Sequence, residues 1–150
     1  MNTQKIVSAF IAAGLWASTD RDGTPLDGAK YSNFRWSKKE MEKVNKFVSD
    51  FIAQNEKVCE KAIEIYGEDS FGHDLFLNCA GHGVGYLSRN CLAVPSGEKT
   101  VLKNVWNVET KSYKERECNL SVGEYLDDLC EKNSLESFDA YRGWYYMSPV

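Results

Sequence analysis

Nothing in the 150-residue sequence approaches the roughly 20 consecutive apolar residues that a membrane-spanning helix needs, so no membrane partner is expected. No C-x-x-C pair occurs among the five cysteines (Cys59, Cys79, Cys91, Cys118 and Cys130), and an odd number cannot be a complete disulfide set. Free thiols in a reducing cytoplasm are the simplest expectation. The opening MNTQKIVSAFIAAGLW has an apolar run but lacks the strongly basic start and the small-residue cleavage site of a secretory signal. Lys and Arg are not gathered into a basic footprint and the net charge is −4, which disfavours nucleic acid as a partner. Internal repeats, linkers and low-complexity segments are also missing. The Asp-rich loop after residue 17 is not an EF-hand: with Ser18 as the first ligand, Ala29 falls where a bidentate Glu is required.

What remains is an ordinary globular composition, 43% hydrophobic and 27% charged, at a length that fits one domain over residues 1–150. Aromatic residues are plentiful, with four Trp, eight Tyr and seven Phe, and can serve either a core or an interface.

Helical spacing of Ile6, Phe10, Ala13 and Ala17 predicts a short N-terminal helix over residues 4–17. Ser37 with Glu40 has capping-box spacing and opens a stripe of Met41, Val44, Phe47, Val48, Phe51 and Ile52. The stripe resumes at Val58, Cys59, Ala62, Ile63 and Tyr66, so one long helix over 38–66, or two with a break near Asn55, is predicted, with Gly67 ending it. The run 74–79 and its continuation 84–88 read as two short strands joined by Ala80-Gly81-His82-Gly83, a central hairpin. Alternating residues around Val101, Val105 and Val108 predict a second hairpin within 90–118, read as an insertion, with a turn near 110–112. Ser121 and Glu124 open another helix, and 138–141 with Trp144–Met147 form the last strands around an Arg142-Gly143 turn. The expected fold class is α+β: a small antiparallel sheet built on the 74–88 hairpin, packed against one long helix and two shorter ones.

The stretch Gly72–Arg89, GHDLFLNCAGHGVGYLSR, resembles the signature GHDFWLTRNGHGAGFWDR of a family of small uncharacterised proteins found mainly in bacteriophages and plasmids. Agreement falls on Gly72, His73, Asp74, Leu77, Gly81, His82, Gly83, Gly85 and Arg89, with aromatic replacements at Phe76 and Tyr86. Residues 15–20 and 22–27 resemble the family's upstream motif, and Asp139-Ala140-Tyr141 has a counterpart. Cys79 and Ala80 stand where Arg and Asn are usual, and Leu87 and Ser88 where Trp and Asp are. The resemblance implies an accessory protein of a phage or mobile element in the cytoplasm of a bacterial host.

Three chemistries fit the central stretch. His73, Asp74 and His82 are good zinc or iron ligands, but their spacing matches no standard pattern. Cys79 and His82 could form a nucleophilic pair, against the simpler role of a buried structural thiol. Gly81, Gly83 and Arg89 could receive an anion, although a strand rather than a helix N-terminus is predicted to follow. A fourth possibility is an interface: Trp106, Tyr113, Arg116, Arg142, Trp144 and Tyr145 have the composition of binding anchors. The leading expectation is a non-enzymatic protein, with no cofactor and no metal, that binds and inhibits a host protein of a defence or nucleic-acid-processing system. The alternative is an enzyme or small-ligand site centred on His73, Asp74 and His82.

Overall fold

The computed structural model describes residues 1–148, the side chains of residues 99–101 excepted; Val101, part of the expected alternation, is among those. Helix α1, Thr3–Ala17, begins where the Asn2 side chain accepts the Lys5 amide, and buries Ile6, Val7, Phe10, Ala13 and Gly14. Helix α2, Lys38–Gln54, starts under Ser37, whose hydroxyl accepts the Glu40 amide, and buries Val44, Val48, Phe51 and Ile52. Asn55 leaves the helical region (φ −136°), so the predicted long helix divides there, and α3, Glu56–Tyr66, buries Val58, Cys59 and Ala62.

The next element departs from expectation. Gly67, at φ 90°, ends α3 and at once caps a further helix, α4, Glu68–Cys79, where the sequence predicted the first strand of a hairpin. Phe71, Leu75 and Cys79 recur at four-residue spacing, and Gly72, Asp74 and Phe76 are buried as well. Such a helix, enclosed on most sides, reads as a continuous apolar run, and periodicity alone does not separate it from a core strand. The segment 80–89 is a loop closed by a 3₁₀ turn, Tyr86–Ser88, not a returning strand.

Two separate sheets replace the expected central one. Strands β1 (Arg35–Trp36), β4 (Phe138–Tyr141) and β5 (Trp144–Met147) form a three-stranded sheet in the order β1-β5-β4, with β1 parallel and β4 antiparallel to β5. Arg142 (φ 48°) and Gly143 (φ 84°) make the two-residue turn with both φ positive that matches the twist of a tight hairpin. Strands β2 (Pro95–Asn107) and β3 (Ser112–Ser121) pair antiparallel as an independent ribbon, irregular between Pro95 and Thr100. Helix α5, Val122–Lys132, follows directly through a complete capping box between Ser121 and Glu124. The fold class is α+β, with five α-helices and two small sheets among the described residues.

At Ser37 the capping box is half made. The Glu40 carboxylate turns away from the cap and accepts the Met147 amide of β5 at 3.0 Å and Lys43 at 2.7 Å, tying α2 to the last strand. Phe10, Phe71, Phe76, Tyr86 and Phe138 are all fully buried, and each such side chain contributes about 1.5–3 kcal/mol relative to exposure. Phe138 of β4 lies 4.8 Å from Phe76 and 4.9 Å from Trp36, so the three-stranded sheet seals the α1–α4 layer. Gly72 lets α1 and α4 approach closely: a Cβ there would stand 2.4 Å from the Ile6 carbonyl oxygen. Among the described residues no helix is long and apolar enough to cross a membrane.

Candidate functional site

The motif residues lie on α4 and on the loop that folds back along it. Asp74 is buried, and Arg89, fifteen residues on, reaches it with both arms: Nε donates to Oδ2 at 2.8 Å and Nη2 to Oδ1 at 2.7 Å. The Tyr66 hydroxyl donates to the same Oδ2 at 3.3 Å, and His73 Nδ1 stands 3.5 Å from Oδ1. Such a bidentate pair is among the stronger ionic contacts. The Asp74 carboxylate raises the Arg89 pKa above its ordinary value, and burial, helped by that carboxylate, raises the Tyr66 phenol. An open cleft of about 290 Å³ lies over this group, lined by Tyr66, Asp69, Ser70, His73, Asp74 and Arg89. Half-exposed His73 also faces the exposed Trp16 ring of α1, 6.2 Å between centroids.

Chemically, this group holds the chain together. Asp74 spends most of its acceptor positions on Arg89 and Tyr66, and Arg89 gives two of its five N–H donors to Asp74 while its outer edge stays half exposed on the cleft. His82 is not with them. Its Nε2 is hydrogen bonded to the Ser137 hydroxyl at 3.0 Å, and the ring is exposed. Among the described residues no three His, Cys, Asp or Glu side chains gather as a metal-holding group.

The glycine-rich loop is likewise occupied. The His82 and Gly83 amides both donate to the Leu77 carbonyl (2.8 and 2.9 Å), which makes the segment the C-terminal cap of α4. Gly85 donates to Asn78 Oδ1, while Tyr86 and Leu87 donate to the two oxygens of Asp127 on α5 at 2.6 and 2.9 Å. Amides already given to protein acceptors, one of them a carboxylate, do not form a phosphate cradle. Gly81 (φ 73°) turns the chain, and a Cβ on Gly83 would strike Asn78. Tyr86, fully buried, donates its hydroxyl to the Phe71 carbonyl at 3.1 Å. Cys79 is buried against Cys130 rather than beside His82, and contact with the Cys79 thiol, together with burial, raises the Cys130 pKa. Cys79 and the glycine loop thus hold the structural roles that were weighed above against a nucleophilic pair and an anion loop.

The interface candidates divide. Trp106 and Tyr113 face each other across the ribbon, edge to face at 5.1 Å, and both are exposed. Arg116 is exposed on the opposite face of β3. Arg142 lies over the Tyr141 ring at 5.1 Å in the β4–β5 turn, beside exposed Trp144. Tyr145 does not belong with them: alternation along β5 turns it inward, and its hydroxyl donates to the carbonyls of Leu26 and Tyr31 at 3.0 and 3.1 Å. Composition around 141–146 could not separate Trp144 from Tyr145, but strict alternation would have. Leu102, Glu115 and Glu117, which join Trp106 and Tyr113 on one ribbon face, escaped the sequence reading because the register of β2 on β3 was needed to collect them. Comparison with protein-family models, with curated proteins and with solved structures finds no match.

Proposed function

We propose that this chain is a binding protein rather than a catalyst: an accessory protein of a phage or mobile element that engages a host bacterial protein in the cytoplasm and inhibits it by covering its surface. The defence and nucleic-acid-processing systems of the host are the class of target. The observation that carries the reading is the exposed Trp106–Tyr113 pair on a two-stranded ribbon that stands apart from the three-stranded sheet. Aromatic side chains held in a fixed mutual geometry are the usual anchors of protein interfaces. The engagement of buried Asp74 by Arg89 and Tyr66 supports the same reading, since it gives the motif's carboxylate a structural role. The similarity of residues 72–89 to the phage and plasmid signature supplies the biological setting.

The test is a tagged pull-down from bacterial lysate with wild type, His82→Ala and Trp106→Ala/Tyr113→Ala, each checked for folding by circular dichroism. A stoichiometric protein partner retained by His82→Ala and lost by the ribbon variant is the expected result. A partner or small molecule lost only with His82→Ala would move the function to the histidine stretch.

A further inference from the structure

The register of the ribbon sorts its charges. Leu102 pairs with Glu117, Asn104 with Glu115 and Trp106 with Tyr113; between them Lys103 pairs with Arg116 and Val105 with Lys114. Side chains alternate along a strand and directly opposed residues share a face, so these pairs fall on two surfaces of opposite sign. One holds Leu102, Trp106 and Tyr113 with the carboxylates of Glu115 and Glu117. The other holds Lys103, Lys114 and Arg116. Lys103 donates to Glu124 of α5 at 2.6 Å, which turns the basic face toward α5 and the acidic aromatic face to solvent. There Leu102 and Tyr113 are each 69% exposed, and Glu115 and Glu117 are exposed too.

Resting on the binding-protein reading above, we infer that this outward face is the docking surface and that its occupant is a different protein, presenting an apolar cleft rimmed by Lys and Arg. The rings and Leu102 supply the apolar centre, and the exposed Glu115 beside them the complementary charge that sets encounter rate and orientation. A second copy of the chain fits poorly. Face-to-face contact brings glutamates against glutamates. Two-fold antiparallel pairing of the β3 edges keeps like faces together, so it sets Glu against Glu and Lys114 against Arg116. Nucleic acid is repelled by the same carboxylates, while the ribbon's bases lie on the other side.

The experiment replaces Tyr113 in the full chain with photo-reactive benzoylphenylalanine and irradiates it in bacterial lysate. It is run with the Glu pair intact, as Glu115→Gln/Glu117→Gln, as Glu115→Lys/Glu117→Lys, and with Trp106→Ala, at 50 and 500 mM salt. The expected product is one heteromeric adduct whose cross-linked peptide places Lys or Arg around an apolar site. Its yield should fall about tenfold on charge reversal and several-fold at high salt. An adduct lost with Trp106→Ala but indifferent to both glutamate variants and to salt would overturn the basic partner while leaving the binding-protein reading standing. So would an adduct of twice the chain mass, or one to nucleic acid. If wild type makes no adduct while the tagged chain still captures a stoichiometric partner, the docking face is elsewhere. If neither occurs, the binding-protein reading itself fails.

Discussion

The Asp74–Arg89 pair should answer to mutation asymmetrically, because its two members sit in different surroundings. The Asp74 side chain is 6% exposed and that of Arg89 46%. Arg89→Ala removes two short charge-assisted hydrogen bonds and leaves a buried carboxylate to the longer contacts of the Tyr66 hydroxyl and the His73 ring. Breaking a fully buried pair in this way costs about 3–5 kcal/mol; the open cleft admits some water, so a loss of about 3 kcal/mol is expected here. Asp74→Ala instead leaves an arginine that is already half in solvent and free to turn out to it, with an expected loss of about 1.5 kcal/mol. The double variant should resemble Asp74→Ala alone, giving a coupling of about 2–3 kcal/mol in a double-mutant cycle. In thermal unfolding, Arg89→Ala should lower Tm by about 6–12 °C, roughly twice the effect of Asp74→Ala. Urea unfolding followed by tryptophan fluorescence gives the same comparison in free energy. Equal losses, or a larger loss for Asp74→Ala, would show that the pair is not a buried acid satisfied by a surface-anchored base.

Two further outcomes are expected. Gly72→Ala places a methyl against the Ile6 backbone carbonyl, which cannot swing aside, so α1 and α4 must separate at a cost of about 2–3 kcal/mol; a change under about 0.5 kcal/mol in urea unfolding would refute this contact. Acid should destabilise the fold through three carboxylates held below their ordinary pKa: Asp20 by Lys30 and Tyr31, Glu124 by Lys103 and the Ser121 amide, and Glu40, where burial pulls upward but Lys43 and the Met147 amide prevail. A carboxyl whose folded pKa is depressed stabilises above its unfolded value, here 3.8 for Asp and 4.5 for Glu, and loses that stabilisation as pH falls toward the folded value. Tm should therefore hold from pH 7 to about 5 and drop below about 4.5, less steeply in Lys30→Met; a Tm that rises on acidification would contradict the assignment.

The parts of the fold legible in the sequence were those specified locally. Ser37 and Ser121 marked two helix starts, Asn55 marked a break, and Arg142-Gly143 marked the final turn, because caps and turns depend on a few adjacent residues. Helix α4 was misread because burial on most sides erased the polar face that identifies a helix. Glu68 and Asp69, acids in its first turn behind Gly67, were the available signal. The motif itself was visible as residue types, but its meaning was not. His73 and His82 look alike in sequence, and only the return of Arg89 onto Asp74 shows one end of the stretch to be an ionic clasp and the other a helix cap. The ribbon face was hidden for a related reason, since its charge sorting exists only once two strands are in register.

The ties between α2, the loop before it and the final sheet also bear on how the chain is made. Ser18 accepts the Phe138 amide, Tyr145 donates to Leu26 and Tyr31, and Glu40 accepts the Met147 amide across 107 residues. On a ribosome each of these partners emerges more than a hundred residues after the group it satisfies. At 5–20 residues per second, Glu40 waits about 5–20 s for the amide that satisfies it, and Ser18 waits about as long. Segment 18–36 thus has no permanent place to lie until the β4–β5 hairpin is released, and that side of the fold closes long after its helices have been made.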